Sequence, residues 1–291
     1  MKFAQAMIGL ETKDYVAVAV AAEKAGFDSV ALSDHVVYPQ EFSSPYPYTP
    51  DGKPQFDPTW DFPDPWVTIG ALASATTSLE FFTNVFVLPA RNPINVAKAV
   101  GTAAALSGDR VSLGIGAGWL REEFDILEQS FKGRGKRLDE MIEVLHTVWG
   151  GGFVEHHGEC FDFAPIDMRP APSRQIPILV GGHSEIALRR AARNDGWIGV
   201  NYSLDELSGY ASQLHEFRRE AGRSAEPFEM VVSVRAAPDA STIEKLEELG
   251  VTTILTSAWM AAGRPVPTNA EDAIDAIQQY ADRWIRPTRA S

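Results

Sequence analysis

The sequence predicts a single (β/α)8 barrel with irregular insertions after strand 2 and before strand 5. Two observations lead there. Short apolar runs of strand character alternate with helical patterns along all 291 residues. No linker and no change of composition divides the chain, so residues 1–291 read as one domain. A third observation agrees with them: polar residues and glycines collect where strands give way to loops, which is the end of a barrel that carries chemistry.

The elements follow in order. Residues 3–8 are a strand. A helix opens at Thr12 or Lys13 and runs to Ala25, with Tyr15, Val16, Ala19, Val20, Ala22 and Ala25 as its inner face and Gly26 as its left-handed cap. Residues 28–33 are strand two; Val30, Ala31 and Leu32 have the continuous apolar character of a parallel strand covered on both faces. From 37 to about 64 the periodicity fails. Seven prolines and seven aromatic residues are mixed there, among them Tyr38, Phe42, Tyr46, Tyr48, Phe56 and Trp60. Such a stretch is too aromatic for plain disorder and reads as a lid or pocket wall, the alternatives being a self-packed surface excursion or a dimer contact.

A helix over 65–75 and strand three over 79–87 follow. Asn84 interrupts that strand's apolar run, as a satisfied buried amide or as a backbone distortion beside a ligand. Pro93 opens the next helix, 93–106. Strand four (111–119) runs into Gly116-Ala117-Gly118, where the backbone can approach a ligand closely; the third glycine of a dinucleotide-binding fingerprint is missing. A short helix over 121–131 and a long amphipathic one over 133–149 precede the second excursion, 151–177, which reads as a hairpin. Its adjacent His156 and His157 face opposite ways and suit a polar tip better than a metal. Strand five (177–181) enters Gly181-Gly182 and a helix that Ser184 can cap, a turn whose free amides suit a phosphate. Strands at 196–201, 228–236 and 252–256 and helices at 186–193, 204–221, 242–249 and 271–284 complete the alternation.

Apolar residues make up 45% of the chain and charged residues 22%, enough for a sizeable core. The net charge of −13 repels nucleic acid and anionic membranes, so neither is expected as a partner, and a polyanionic cofactor would depend on backbone amides and a few arginines. The single cysteine, Cys160, excludes an intramolecular disulfide, and no Cys/His cluster has zinc spacing, so no metal site is expected. There is no secretory pattern at Met1–Met7 and no run of about 20 apolar residues. A cytoplasmic protein acting on a small molecule is expected.

The candidate site begins with Ser33-Asp34-His35 at the exit of strand two. An acid beside an imidazole suits cofactor binding or proton transfer; Ser and Asp are equally at home in a turn or cap.

Several segments together resemble the bacterial luciferase-like monooxygenase superfamily, and within it the branch using the deazaflavin coenzyme F-420. They are Ala25-Gly26-Phe27-Asp28-Ser29-Val30, Ser33-Asp34-His35, Asn84-Val85-x-x-Leu88-Pro89-x-Arg91-Asn92-Pro93, 106–119 with its Gly116-x-Gly118-Trp119, Arg169-Pro170-x-Pro172, and Ile178-x-Val180-Gly181-Gly182. The resemblance implies that Asp34 contacts the deazaflavin ring and that His35 sits by its reactive carbon. It implies that Asn84-Val85 is a non-proline cis peptide behind the ring, that Gly116 and Ala117 line the pocket, and that Gly181 and Gly182 hold the phosphate. Arg91 would contact an anion. The implied activity is hydride transfer between the cofactor and a small apolar or aromatic substrate, in a fold that commonly forms homodimers. An FMN-dependent monooxygenase and a non-catalytic flavin or deazaflavin binder are the alternatives. Trp119 stands where the family's sugar-phosphate dehydrogenases carry a glutamate and cannot relay protons as a carboxylate does, so sugar-phosphate oxidation is not expected. Glu122 and Glu123 follow it at a helix start, a position that favours carboxylates for dipole reasons alone.

Overall fold

The structure, a computed structural model, describes residues 1–54 and 56–290. The chain begins β1 (Lys2–Ala6), α1 (Tyr15–Ala25), β2 (Ser29–Leu32), α2 (Pro65–Ala75) and β3 (Glu80–Thr83), whose continuation is β4 (Phe86–Val87). Then come α3 (Pro93–Ser107), β5 (Val111–Gly116), α4 (Arg121–Ile126), α5 (Arg134–Trp149) and the hairpin β6 (Val154–His157) and β7 (Asp162–Ile166). The second half runs β8 (Ile178–Gly181), α6 (Glu185–Ala192), β9 (Gly196–Tyr202), α7 (Leu204–Glu220), β10 (Glu229–Val234), α8 (Ala240–Glu248), β11 (Thr253–Thr256), α9 (Ala258–Ala261) and α10 (Ala270–Tyr280).

Eight parallel strands close on themselves. β1 pairs with β2 and β11, and β3 pairs with both β2 and β5, so the ring has no open edge. Alternate residues explain why the strands are apolar throughout. Phe3, Val30, Leu32 and Phe81 point outward into the layer under the helices. Their neighbours Ala4, Ala31 and Phe82 join Leu179, Ile198, Val231 and Leu255 in the barrel interior. Among the described residues no helix is long and apolar enough to cross a membrane.

Local chemistry accounts for the helix ends. The Asp64 carboxylate accepts from the Trp66 and Val67 amides, and Asn92 caps α3 ahead of Pro93. Ser203 and Glu206 form a reciprocal capping box on α7.

Several expected boundaries move. The first strand stops at Ala6, before Gly9 turns at φ 78°. The expected helix over 121–131 ends at Ile126, because Glu128 takes a left-handed φ of 55°. The expected helix over 271–284 is α-helical to Tyr280, widens to a π-helical turn over Ala281–Ile285 and returns to α-helix over Arg286–Ala290. The buried face of α1 is Tyr15, Val18, Ala19, Ala21, Ala22 and Ala25; Val16 is exposed and Val20 lies on the flank, so those two inner-face assignments are corrected.

Candidate functional site

The carboxyl ends of the barrel strands open into a cavity of about 1440 Å³. Its apolar floor includes Ala6, Ile198 and Leu255, and its wall is the long segment after β2, through Tyr46, Tyr48, Phe56, Trp60 and Phe62. The described residues between β2 and α2 form no helix or strand. They hold their shape through ring contacts and so act as the pocket wall the sequence suggested. Trp119 packs edge-on against Tyr46 and Phe42, at centroid distances of 5.2 and 5.8 Å. Phe56 meets Tyr38, Tyr46 and Phe62 at 5.6, 6.0 and 5.5 Å.

His35 stands at the exit of β2 inside this aromatic cluster, 5.2 Å from the Phe62 ring and 6.2 Å from that of Trp119. Its Nδ1 lies 3.1 Å from Oε2 of Glu123, whose side chain is 2% exposed. The other carboxylate oxygen of Glu123 accepts from the Val36 amide at 2.7 Å. With Nδ1–H donated to Glu123, the neutral ring keeps Nε2 as its proton-accepting nitrogen.

Asp34 borders the cavity but is buried, and its carboxylate accepts from Arg91 Nη2 at 2.6 Å, Arg91 Nη1 at 2.9 Å and the Val87 amide at 2.8 Å. Burial pushes this carboxyl above its ordinary range, against the opposing pull of Arg91 and the amide. The pair ties β4 to the exit of β2. Arg91 is committed to Asp34 and to the Phe86 ring 4.0 Å away, and it does not line the cavity, so its expected anion contact is corrected.

The Asn84–Val85 peptide is cis and separates β3 from β4. The Asn84 amide N–H donates to Leu32 O, while its side chain lines the cavity with no hydrogen bond among the described residues. Val85 explains two glycines. A Cβ on Gly116 would lie 2.7 Å from Val85 Cγ2, and one on Gly181 would lie 2.8 Å from Val85 Cγ1. These two glycines are therefore demanded by a neighbouring side chain, whereas the sequence pointed only to close approach of a ligand. Ala117 lines the cavity beside them.

Gly182, at φ 109°, turns the chain from β8 into α6. The turn is braced: Trp197 Nε1 donates to Gly182 O at 2.8 Å, and the Ser184 hydroxyl accepts from the Ala187 amide. The open first turn of α6 faces the cavity through Ser184, Ile186 and Ala187. His183 on this turn stacks against Tyr210 and meets the lid's Tyr48 edge-on at 5.2 Å. Burial lowers the His183 pKa, over an opposing pull from Glu206, so the ring stays neutral at pH 7 and brings no charge to the turn.

Glu122 anchors the lid. Its carboxylate accepts from the Ser43 amide at 2.7 Å and from the hydroxyls of Ser43 and Ser44 at 3.0 and 2.7 Å. Burial works against the charge, but the Ser43 amide and the Ser44 hydroxyl lower the carboxyl from 4.5 to about 2. A depressed pKa means that the anchor is fully made above pH 4.5 and is lost as pH falls through about 2. Glu122→Gln should therefore speed amide exchange at Ser43 about tenfold at neutral pH. Parent and variant should converge as pH approaches 2. Equal exchange at neutral pH would show that the lid is held by its rings alone.

The structure thus gathers Asp34, His35, Asn84, Val85, Gly116, Ala117, Gly181 and Gly182 around one cavity. Glu123 is the residue that sequence reasoning missed. An acidic pair in a first helical turn has a sufficient local reason, and only the contact with His35, 88 positions away, distinguishes its second member. Among the described residues no group of three His, Cys, Asp or Glu side chains comes together to hold a metal; His156 pairs with Glu140 and His157 with Asp162 on the hairpin.

A family model, luciferase-like monooxygenase, matches residues 3–286. An uncharacterised protein of Mycobacterium tuberculosis is 41% identical over 255 residues, 88% of either chain. An F420-dependent glucose-6-phosphate dehydrogenase of Segniliparus rotundus is 30% identical over 285 residues, covering 94% of this chain and 80% of that one. The crystal structure of the monooxygenase RslO1 from Streptomyces bottropensis superimposes with a TM-score of 0.78 at 18% identity, over 99% of this chain and all of the other, a likeness of fold.

Proposed function

This chain belongs to the luciferase-like monooxygenase family, and on that premise we propose that it is a coenzyme F-420-dependent oxidoreductase acting on a small apolar or aromatic substrate. The observation that carries the reading is the His35–Glu123 pair set in an aromatic-walled cavity: a proton donor and acceptor of fixed orientation where a ring would lie. The 30% identical relative named as F420-dependent supports the choice of cofactor.

The residues present fit such a cofactor. A cavity of about 1440 Å³ is larger than a single small ligand needs and can take a ring system with its phosphate and a substrate. Gly116 and Gly181, with Val85 between them, make a floor without protruding side chains, and the Asn84 side-chain amide, unpartnered among the described residues, offers a polar contact beside it. The Gly182 turn and the first turn of α6 would hold the phosphate through backbone N–H groups. When bound, the deazaflavin supplies a hydride donor or acceptor at its C5.

His35 would give or take the proton that accompanies the hydride, through Nε2, with Glu123 holding Nδ1. The lid rings exclude water and offer flat apolar surface to the substrate. Trp119 contributes such surface where the family resemblance leads to the expectation of a carboxylate, which supports a substrate other than a sugar phosphate.

Titration of the purified protein with F-420 and with FMN, followed by fluorescence, tests the cofactor. F-420 is expected to bind tightly and FMN weakly. The reverse order would overturn the reading in favour of a flavin oxygenase. Tight F-420 binding with no turnover of any alcohol, ketone or enone would leave a cofactor-binding protein.

A further inference from the structure

The exit of β9 departs from the regular barrel. Gly199 and Tyr202 of β9 face Val232 and Val234 of β10, so three steps of one strand stand against two of the other. The extra residue makes a bulge, a device that re-aims side chains beside functional sites. Its effect shows in the side-chain pattern. Ile198 and Val200 face the barrel interior, and strict alternation would send Tyr202 there too. Instead Tyr202 stacks on Trp197 in the layer outside the strands, with ring centroids 5.9 Å apart. The reversal happens at Asn201, whose φ is 62°.

Among the described residues three non-glycine positions take a left-handed backbone, and Asn201 alone of them lines the cavity. Asparagine is one of the few side chains that tolerate this conformation, but glycine adopts it more cheaply, so a side chain retained here points to a use for it. Both main-chain groups of Asn201 are taken. Its N–H donates to Ser233 Oγ at 2.8 Å, and its carbonyl accepts from Arg235 Nη1 at 2.6 Å. Arg235 in turn pairs with Glu206. The Asn201 side-chain amide has no hydrogen bond among the described residues. Its place is equally specific. In the closed ring of strands β9 lies four places from β2 in either direction, so Asn201 stands at the wall opposite His35. The floor glycines, Gly116 on β5 and Gly181 on β8, lie between the two.

We propose that Asn201 is a specificity-determining residue whose side chain holds a neutral amide group of the substrate, at the end away from the carbon that exchanges the hydride. The inference rests on the oxidoreductase reading above and names the substrate class more closely. A carboxamide side chain presents an acceptor and a donor side by side, and a lactam or open amide matches it with one hydrogen bond of each kind. An ester or ketone meets the donor alone, and a bare hydrocarbon leaves both groups unmet. A charged group gains little at this wall, because the Arg235 charge is already met by Glu206. The lid rings cover the flat apolar body of such a molecule, while His35 and Asn201 address its two ends.

The test reads selectivity between two probes of one shape by equilibrium dialysis against the protein saturated with F-420. Coumarin offers an acceptor alone; quinolin-2-one offers the same carbonyl beside an N–H. The parent should bind quinolin-2-one about tenfold more tightly than coumarin. Asn201→Gly removes the amide at a position whose backbone glycine accepts without strain, so it should fold, and the ratio should fall to about one. Asn201→Asp keeps the acceptor and loses the donor; it should weaken coumarin and retain the preference for quinolin-2-one. F-420 affinity should be the same in all three proteins. Binding of neither probe by the parent, equal binding of both, or a preference that survives in Asn201→Gly would overturn the inference and leave the oxidoreductase reading standing. So would a loss of F-420 affinity in Asn201→Gly, which would put the amide on the cofactor. A parent that fails to bind F-420 would overturn that reading and the inference with it.

Discussion

Glu123→Gln should slow turnover by about 10²- to 10⁴-fold while leaving cofactor affinity nearly unchanged. Glu123 is a positioning residue, acting through His35. Its carboxylate accepts from Val36 on one oxygen and from the imidazole on the other. A glutamine can keep the first bond through its carbonyl. It then turns an NH2 group toward His35 Nδ1, which must become an acceptor, and the ring proton moves to Nε2. The nitrogen needed to take a proton is thereby blocked, and no carboxylate remains to stabilise the imidazolium when it forms. The ¹⁵N shifts of His35 check this without any substrate: the parent should show the Nδ1–H tautomer and the variant the Nε2–H tautomer. His35→Ala should match the rate loss and add little to it in the double variant, because the two act as one unit. An unchanged tautomer together with an unchanged rate would remove Glu123 from the mechanism.

Gly116→Ala should cost about 1–3 kcal/mol of stability and strip the pocket of cofactor binding. The added methyl would arrive 2.7 Å from Val85 Cγ2. Val85 has little room to yield, since its other methyl already occupies the space above Gly181, where a Cβ would stand 2.8 Å away. Both glycines belong to neighbouring barrel strands with main-chain partners on either side, so the backbone cannot retreat cheaply. Val85→Ala in the same chain should restore most of the lost stability, a coupling that chemical denaturation measures directly. A Gly116→Ala protein as stable as the parent would show that the close approach relaxes without cost.

Much of the barrel was legible because its signals are local. Gly26 ends α1 in the left-handed conformation, Ser184 caps α6 and Pro93 opens α3, each at the position its own chemistry favours. The boundaries that moved did so for reasons beyond the pattern: a left-handed Glu128, and a cis peptide that splits one apolar run into β3 and β4. Ser33-Asp34-His35 was readable as a candidate site because an acid and an imidazole stand side by side at a strand exit, but the division of labour within it was not. Only the fold brings Arg91, 57 positions on, against Asp34 and so makes that acid a brace, while His35 remains in the cavity.

By itself the sequence determined the alternation of eight strands with helices, the strand end at which polar groups collect, and an acidic surface with few cations to spare. Those properties follow from periodicity, capping and composition, each expressed within a few neighbouring residues. Tertiary structure alone decided that Glu123 holds His35 and that Val85 dictates Gly116 and Gly181. Each of these is a contact between residues that have no reason to meet until the barrel closes.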